Sequence, residues 1–418
     1  MARERMTTTS FTAGGRKLPG GRVAIRRAAL WLLAFGVCVG AFSLVLAATR
    51  TDIVDVPAAL ERLLDPRTDG EKTIALAQAK LASAPNDPRL MAGLASAYLL
   101  RVRETYEPSL YAKAAELLDR AAALAPTDPD VAISFGNLAL SRHDFVAALR
   151  WGLVAQAAAP ARPAAYGVLT DAYVELGRYP EAVDAAQRMV DLRPDLASYS
   201  RVSYLRELHG DLAGAIDAMR RAVEAGAPRT EGTAWSEVQL GNLYLAENDL
   251  EAAERAYDNA LQRVDGYVFA LAGQAKVRAA RGDLAGAAAL DTQAAQRLPV
   301  PDFVIALADL HGRLGDSVRA RQDVELVTAM ELLLKANGVR TDVDLALFDA
   351  DHDLRLDEAL ATARAEYATR PSVTVAMTLA WTEYKTGDLT SARAHAAEAL
   401  RLGWRDPVAL ARAATIAR

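Results

Sequence analysis

The sequence predicts an all-α solenoid of stacked antiparallel helical pairs, and three observations carry that expectation. Prolines recur at Pro126, Pro160, Pro194 and Pro228, each 34 residues after the last. Between two of them, residues 163–194 place small and apolar side chains at Leu169, Tyr173, Ala182, Ala186 and Met189. That spacing marks two amphipathic helices of about a dozen residues, joined at Leu176-Gly177-Arg178. The chain is 52% hydrophobic yet only 6% aromatic, a balance that lets helix backbones approach closely. Helices this short are marginal in water, so each pair must stack on its neighbours. A length of 418 residues would otherwise suggest two or three globular domains; the repeat replaces them with one array.

Taken in order, residues 1–27 read as a disordered basic tail, polar and Gly/Thr-rich at first and ending in Arg22, Arg26 and Arg27. Residues 28–48 carry no charge and are long enough to cross a bilayer. The arginines ahead of this span predict a transmembrane helix with a cytoplasmic N-terminus and extracytoplasmic repeats. The rival expectation is a signal peptide cleaved after Val45-Leu46-Ala47, giving a secreted or periplasmic protein, but the apolar run exceeds the roughly 7–15 residues of such a segment. Cys38 lies within this run and is the only cysteine, which excludes an intrachain disulfide and a cysteine metal cluster.

Residues 52–418 divide into repeats. A degenerate first unit runs from 52 to 85, with Ala75, Ala77 and Ala79 on its second helix. The next has Leu94 and Tyr98, then Ala114, Leu118 and Ala121. Its extra residues are expected to lengthen the turn at 103–108. Gly210-Asp211, Asn248-Asp249, Gly282-Asp283, Gly315-Asp316 and Gly387-Asp388 punctuate later pairs. A longer helix is expected over 318–334, stopped by Asn337-Gly338. The final segment, from Pro407, reads as a single capping helix.

These units resemble the tetratricopeptide repeat. The match runs through Phe135-Gly136, Ala148, Ala155 and Pro160, then Leu169, Tyr173, Gly177, Tyr179, Ala182, Ala186 and Pro194. Leu240-Gly241, Tyr244, Ala253, Tyr257 and Ala260 follow, with Asp265 where the pattern has proline. The resemblance implies a right-handed α-solenoid of about ten pairs, whose first helices line a groove for an extended peptide or a partner helix. Carried over, the inward position of successive units is Asn137, Asp171, Tyr204, Asn242, Lys276 and Asp309. Arg201, Tyr204 and Glu207 share one helical face, and Trp381 with Tyr384 forms a second aromatic patch. Ile133, Gly167 and Val238 stand where chaperone-binding members carry a basic clamp, so that use is not implied. The chain looks like bacterial membrane-anchored repeat proteins, which implies an extracytoplasmic protein–protein interaction scaffold in envelope or cytochrome assembly.

Charge and motifs narrow the chemistry. The first 50 residues hold eight basic side chains against Glu4, so the repeats are more acidic than the whole chain's net charge of −5. Such a surface repels phosphate backbones and excludes general nucleic-acid binding. Asp349, Asp351, Asp353 and Asp357 match alternate ligand positions of a calcium loop. Leu354 replaces its turn glycine, however, and Leu360 its bidentate glutamate. A metal-responsive regulator acting through 349–358 is one alternative function, and an accessory subunit of an envelope enzyme complex is another. The five histidines, His143, His209, His311, His352 and His395, share no metal spacing and read as exposed turn residues. The sequence singles out no catalytic, cofactor or metal residue, and leaves the oligomeric state open.

Overall fold

A computed structural model describes residues 69–418. The basic tail, the apolar span at 28–48 and Cys38 lie outside the described residues. Among those described there are twenty helices and no strand, and no helix is long and apolar enough to cross a membrane. Helix α1 (Asp69–Ser83) is the second helix of the degenerate first unit. Nine complete pairs follow: α2 (Pro88–Thr105) with α3 (Ser109–Leu124), α4 (Pro129–Ser141) with α5 (Phe145–Ala158), α6 (Pro163–Glu175) with α7 (Tyr179–Leu192). Then come α8 (Leu196–Leu208) with α9 (Leu212–Ala225), α10 (Glu231–Ala246) with α11 (Leu250–Arg263), and α12 (Val268–Ala280) with α13 (Leu284–Arg297). The stack ends with α14 (Pro301–Arg313) and α15 (Ser317–Ala336), α16 (Asp342–Asp351) and α17 (Leu356–Thr369), α18 (Val373–Lys385) and α19 (Leu389–Ala399), then α20 (Pro407–Ala417).

The turn inside seven of the nine pairs is built the same way. His143, Gly177, Gly210, Asn248, Gly282, Gly315 and Gly387 all take positive φ, and the N–H after each bonds a carbonyl five residues back, as from Asp211 to Arg206. In six of the seven that next residue is aspartate, and its side chain accepts from the third backbone N–H of the following helix, as Asp283 does from Gly286 at 2.8 Å. One short sequence therefore both stops the first helix and starts the second.

Packing between pairs is small against large. Tyr257 is fully buried, and its ring lies so close to Gly241 and Gly273 that a Cβ at either would sit within 2.5 Å of it. Ala253 and Ala260 beside it are equally inaccessible. Ile133, Gly167 and Val238 are buried, so they belong to this packing and do not face a groove.

Two expectations are corrected, the turn at 103–108 and the exposure of the histidines, and the acidic segment gains its partners. The extra residues of the second unit extend α2 as far as Thr105 instead of lengthening the turn, because nothing in Arg103-Glu104-Thr105 breaks a helix; the chain reverses only at Tyr106, with φ 54°. The acidic segment is no calcium loop. Asp349 and Asp351 are helical, and their carboxylates turn away from one another: Asp349 takes Arg355 at 2.5 Å, Asp351 takes Arg412 at 2.7 Å, and Asp353 takes Lys385 at 2.6 Å. Separate cations hold the acids apart, and no cluster suited to a metal ion occurs among the described residues. His311 is buried, with Nδ1 2.6 Å from Asp323, and of the five histidines only His209 is exposed.

The pairs wind so tightly that successive turns of the superhelix touch. The inner turn of each early pair packs beneath a loop six units further along. Tyr106 packs with Val268 and Phe303, and the Arg340 N–H donates to the Arg142 carbonyl at 3.0 Å. The Val373 N–H donates to the Tyr179 hydroxyl at 2.8 Å, while Arg370 lies 3.3 Å from Glu175. Backbone meets backbone where Gly177 faces Pro371 and Gly210 faces Gly403.

Candidate functional site: a cavity inside the superhelix

Inside this winding lies a cavity of about 1140 Å³, partly open to solvent. Its wall is the inner face of first helices from consecutive pairs: Asp171 on α6, Arg201, Tyr204 and Glu207 on α8, Trp235, Gln239 and Asn242 on α10, and Lys276 on α12. A cavity of about 250 Å³ shares Asp171, Arg201 and Tyr204 with it. One of about 350 Å³ shares His143, Phe145 and Glu175 with the second and Asp406 with the first. The three are neighbours that share wall residues, and the one holding Asp344 is the branch.

Six of the ten residues singled out from sequence meet here: Asp171, Arg201, Tyr204, Glu207, Asn242 and Lys276. Four do not. Asn137 and Asp309 are exposed elsewhere, Asp309 lying 3.7 Å from His352 Nε2. Trp381 and Tyr384 stack at 5.2 Å, with the Lys385 ammonium and Arg412 guanidinium over the indole, so this aromatic patch packs against α20 and is no open anchor. The capping helix does more than close the stack, since its start, Asp406 to Val408, enters the cavity wall.

Local contacts fix the lining. Arg201 donates Nε and Nη2 to the two oxygens of Asp171 at 2.8 and 2.6 Å, and Nη1 to the Ala197 carbonyl at 2.9 Å. Burial works against its charge, but Asp171 more than offsets that and its pKa is raised. The Tyr257 hydroxyl donates to Asn242 Oδ1 at 2.9 Å, so the core tyrosine also orients a cavity amide. Tyr204 is 39% accessible, yet it lines the cavity, where the surrounding protein and then Glu175 and Glu207 push its hydroxyl well above the ordinary phenol value.

Glu207 is pushed up to about 7 from its ordinary 4.5, by burial first and then by Asp406. Between those values the folded protein keeps a proton that the unfolded chain has released. This contribution to stability is therefore complete below about 4.5 and is lost as pH rises through about 7. Glu207→Gln should show a shallower fall in urea midpoint between about pH 5 and pH 8 than the parent. Parallel profiles would show that Glu207 is not held in this way.

Sequence reasoning missed Trp235 and Gln239, although both lie on the face of Asn242, seven and three residues earlier on one helix. It also missed Arg103, Glu175, Asp344 and Asp406, which line the space as well.

Repeated helical pairs stacked around an interior groove define the described residues as a tetratricopeptide-type solenoid. The tetratricopeptide repeat family model matches residues 168–229, and helical pairs of the same build run through residues 88–399. No curated protein matches the sequence. Among solved structures, the human IFIT1 dimer with PPP-AAAA is similar at 13% identity, covering 83% of this chain and 80% of that one, with a TM-score of 0.50. An IFIT1 monomeric mutant with Gppp-AAAA aligns at 14% identity over 82% and 78%, TM-score 0.51. The APC/C hetero-tetramer Cut9–Hcn1 aligns at 11% identity over 79% of this chain and 55% of the other, TM-score 0.44, so this chain spans little more than half of that one. These likenesses concern the fold.

Proposed function

We propose that the protein is an interaction scaffold that grips a segment of a partner protein inside its superhelix, and that residues 28–48 tether it to a membrane with the repeats on the extracytoplasmic side. The observation that carries the first part is the cavity itself. Its wall combines aromatic faces at Trp235 and Tyr204 with amides at Gln239 and Asn242, the mixture that holds an extended chain by stacking and hydrogen bonds. Its volume of about 1140 Å³ exceeds the roughly 300–1,000 Å³ typical of small-molecule sites. The tether rests on the uncharged span and the arginines before it.

Cross-linking in native membranes tests the grip. Trp235→Ala combined with Tyr204→Ala should lose the partner adduct formed by the parent while the circular dichroism spectrum stays helical; an undiminished adduct removes the cavity from the scheme. Protease added outside intact spheroplasts should cut the repeats, and full protection overturns the extracytoplasmic placement.

A further inference from the structure

The cavities are lined by five basic and five acidic side chains, but most of the basic ones are committed. Arg103 is spent on Glu231 at 2.8 Å, Arg201 on Asp171, Arg370 on Glu366 and Glu175, and Arg412 on Asp351. Asp406 is committed to the start of α20, accepting from the Ala409 N–H at 2.8 Å. Glu207 in the large cavity and Asp344 in the branch have neither a hydrogen bond nor an ion pair from their side chains among the described residues, and the one cation left over is Lys276.

We propose, resting on the scaffold function above, that the partner segment is a basic one: an extended stretch of protein that seats lysine or arginine side chains against Glu207 and Asp344. Tyr204 lies one helical turn from Glu207, and Trp404 lines the branch that holds Asp344, so each carboxyl has an aromatic face in its own cavity. A guanidinium fits such a setting, stacking on the ring while donating to the acid. Burial raises both carboxyls above their ordinary values; Asp406 adds to this at Glu207, while His143 and Arg370 oppose it at Asp344, so Glu207 above all lacks a counter-charge. An arriving cation supplies it, and removing one member of such an enclosed pair costs far more than removing a surface charge.

The test uses full-length protein in detergent and fluorescent peptides of alternating glycine and arginine, glycine and glutamate, or glycine and glutamine, all with blocked ends. Anisotropy titrations at about 0.15 M salt should show binding of the arginine peptide. Glu207→Gln with Asp344→Asn should weaken it by roughly tenfold or more, while Glu224→Gln, on the exposed face of α9, leaves it unchanged. Equal affinity in the double variant, no binding of the arginine peptide, or preference for the acidic peptide or for oligo(A) overturns the proposal. If the glutamine or glutamate peptide binds instead and Trp235→Ala abolishes it, the basic partner falls and the scaffold stands. If cross-linking also finds the partner adduct unaffected by cavity substitutions, both fall.

Discussion

Tyr257→Ala is expected to lower the free energy of unfolding by about 3–5 kcal/mol, the range for truncating a large buried aromatic. The ring is wholly inaccessible and fills the space that Gly241 and Gly273 leave on the two helices beside it. Neither glycine has a side chain with which to refill the hole, so relaxation is limited to backbone movement, which close stacking resists. Tyr257→Phe separates volume from the hydroxyl. It should cost only about 1 kcal/mol, the worth of an ordinary hydrogen bond, through the bond to Asn242. Urea unfolding of the three proteins checks this, and a loss below about 1 kcal/mol for alanine would mean that the stack collapses around the gap.

Gly177→Ala should be the second large loss, for a different reason. Gly177 has φ 72°, and an added Cβ would lie 2.6 Å from the Pro371 carbonyl oxygen, a backbone atom of the next turn. Gly282 supplies the control, since it has φ 87° and nothing within 4 Å of its Cβ position. Alanine at Gly282 should cost only the strain of the left-handed region, about 1–2 kcal/mol. Alanine at Gly177 should cost that and a further ~1–3 kcal/mol of overpacking. Trp404, packed in the same cluster as Tyr179 and Val373, should report the opening by its fluorescence. Equal losses at the two positions would mean that the turns separate freely.

Much of this architecture was legible in the sequence because local signals repeat. The prolines, the Gly-Asp and Asn-Asp turns and the long helix before Asn337 each act within a few residues, so pattern and structure agree on them. The cavity was legible in part for the same reason: one inward position, advanced by the repeat, reaches Asp171, Tyr204, Asn242 and Lys276. It fails at Asn137 and Asp309, where the same position has left the enclosed part of the winding. Arg103, Asp344 and Asp406 could not be found, since they arrive from units far away in the chain, and the pitch that brings them is a sum of small rotations that no single residue encodes. The calcium pattern was already broken in the sequence at Leu354 and Leu360; what spacing could not give is the counter-charges, Arg355, Lys385 and Arg412, that pair with three of its acids.

The contact between successive turns changes the kind of cooperativity available to the chain. An open stack of repeats is a one-dimensional system in which each unit feels two neighbours, so its ends fray and a weak unit melts alone. Here the pair α6–α7 also feels α18, and α4–α5 feels the loop before α16, which joins the units as a rolled lattice does instead of a string. Losing one unit then removes support from another six places away, so partial melting is penalised at both. Those contacts also join residues nearly two hundred positions apart, and the loop entropy of closing them slows the final step of folding. Amide exchange should accordingly be slow and nearly uniform in α6, α7 and α18.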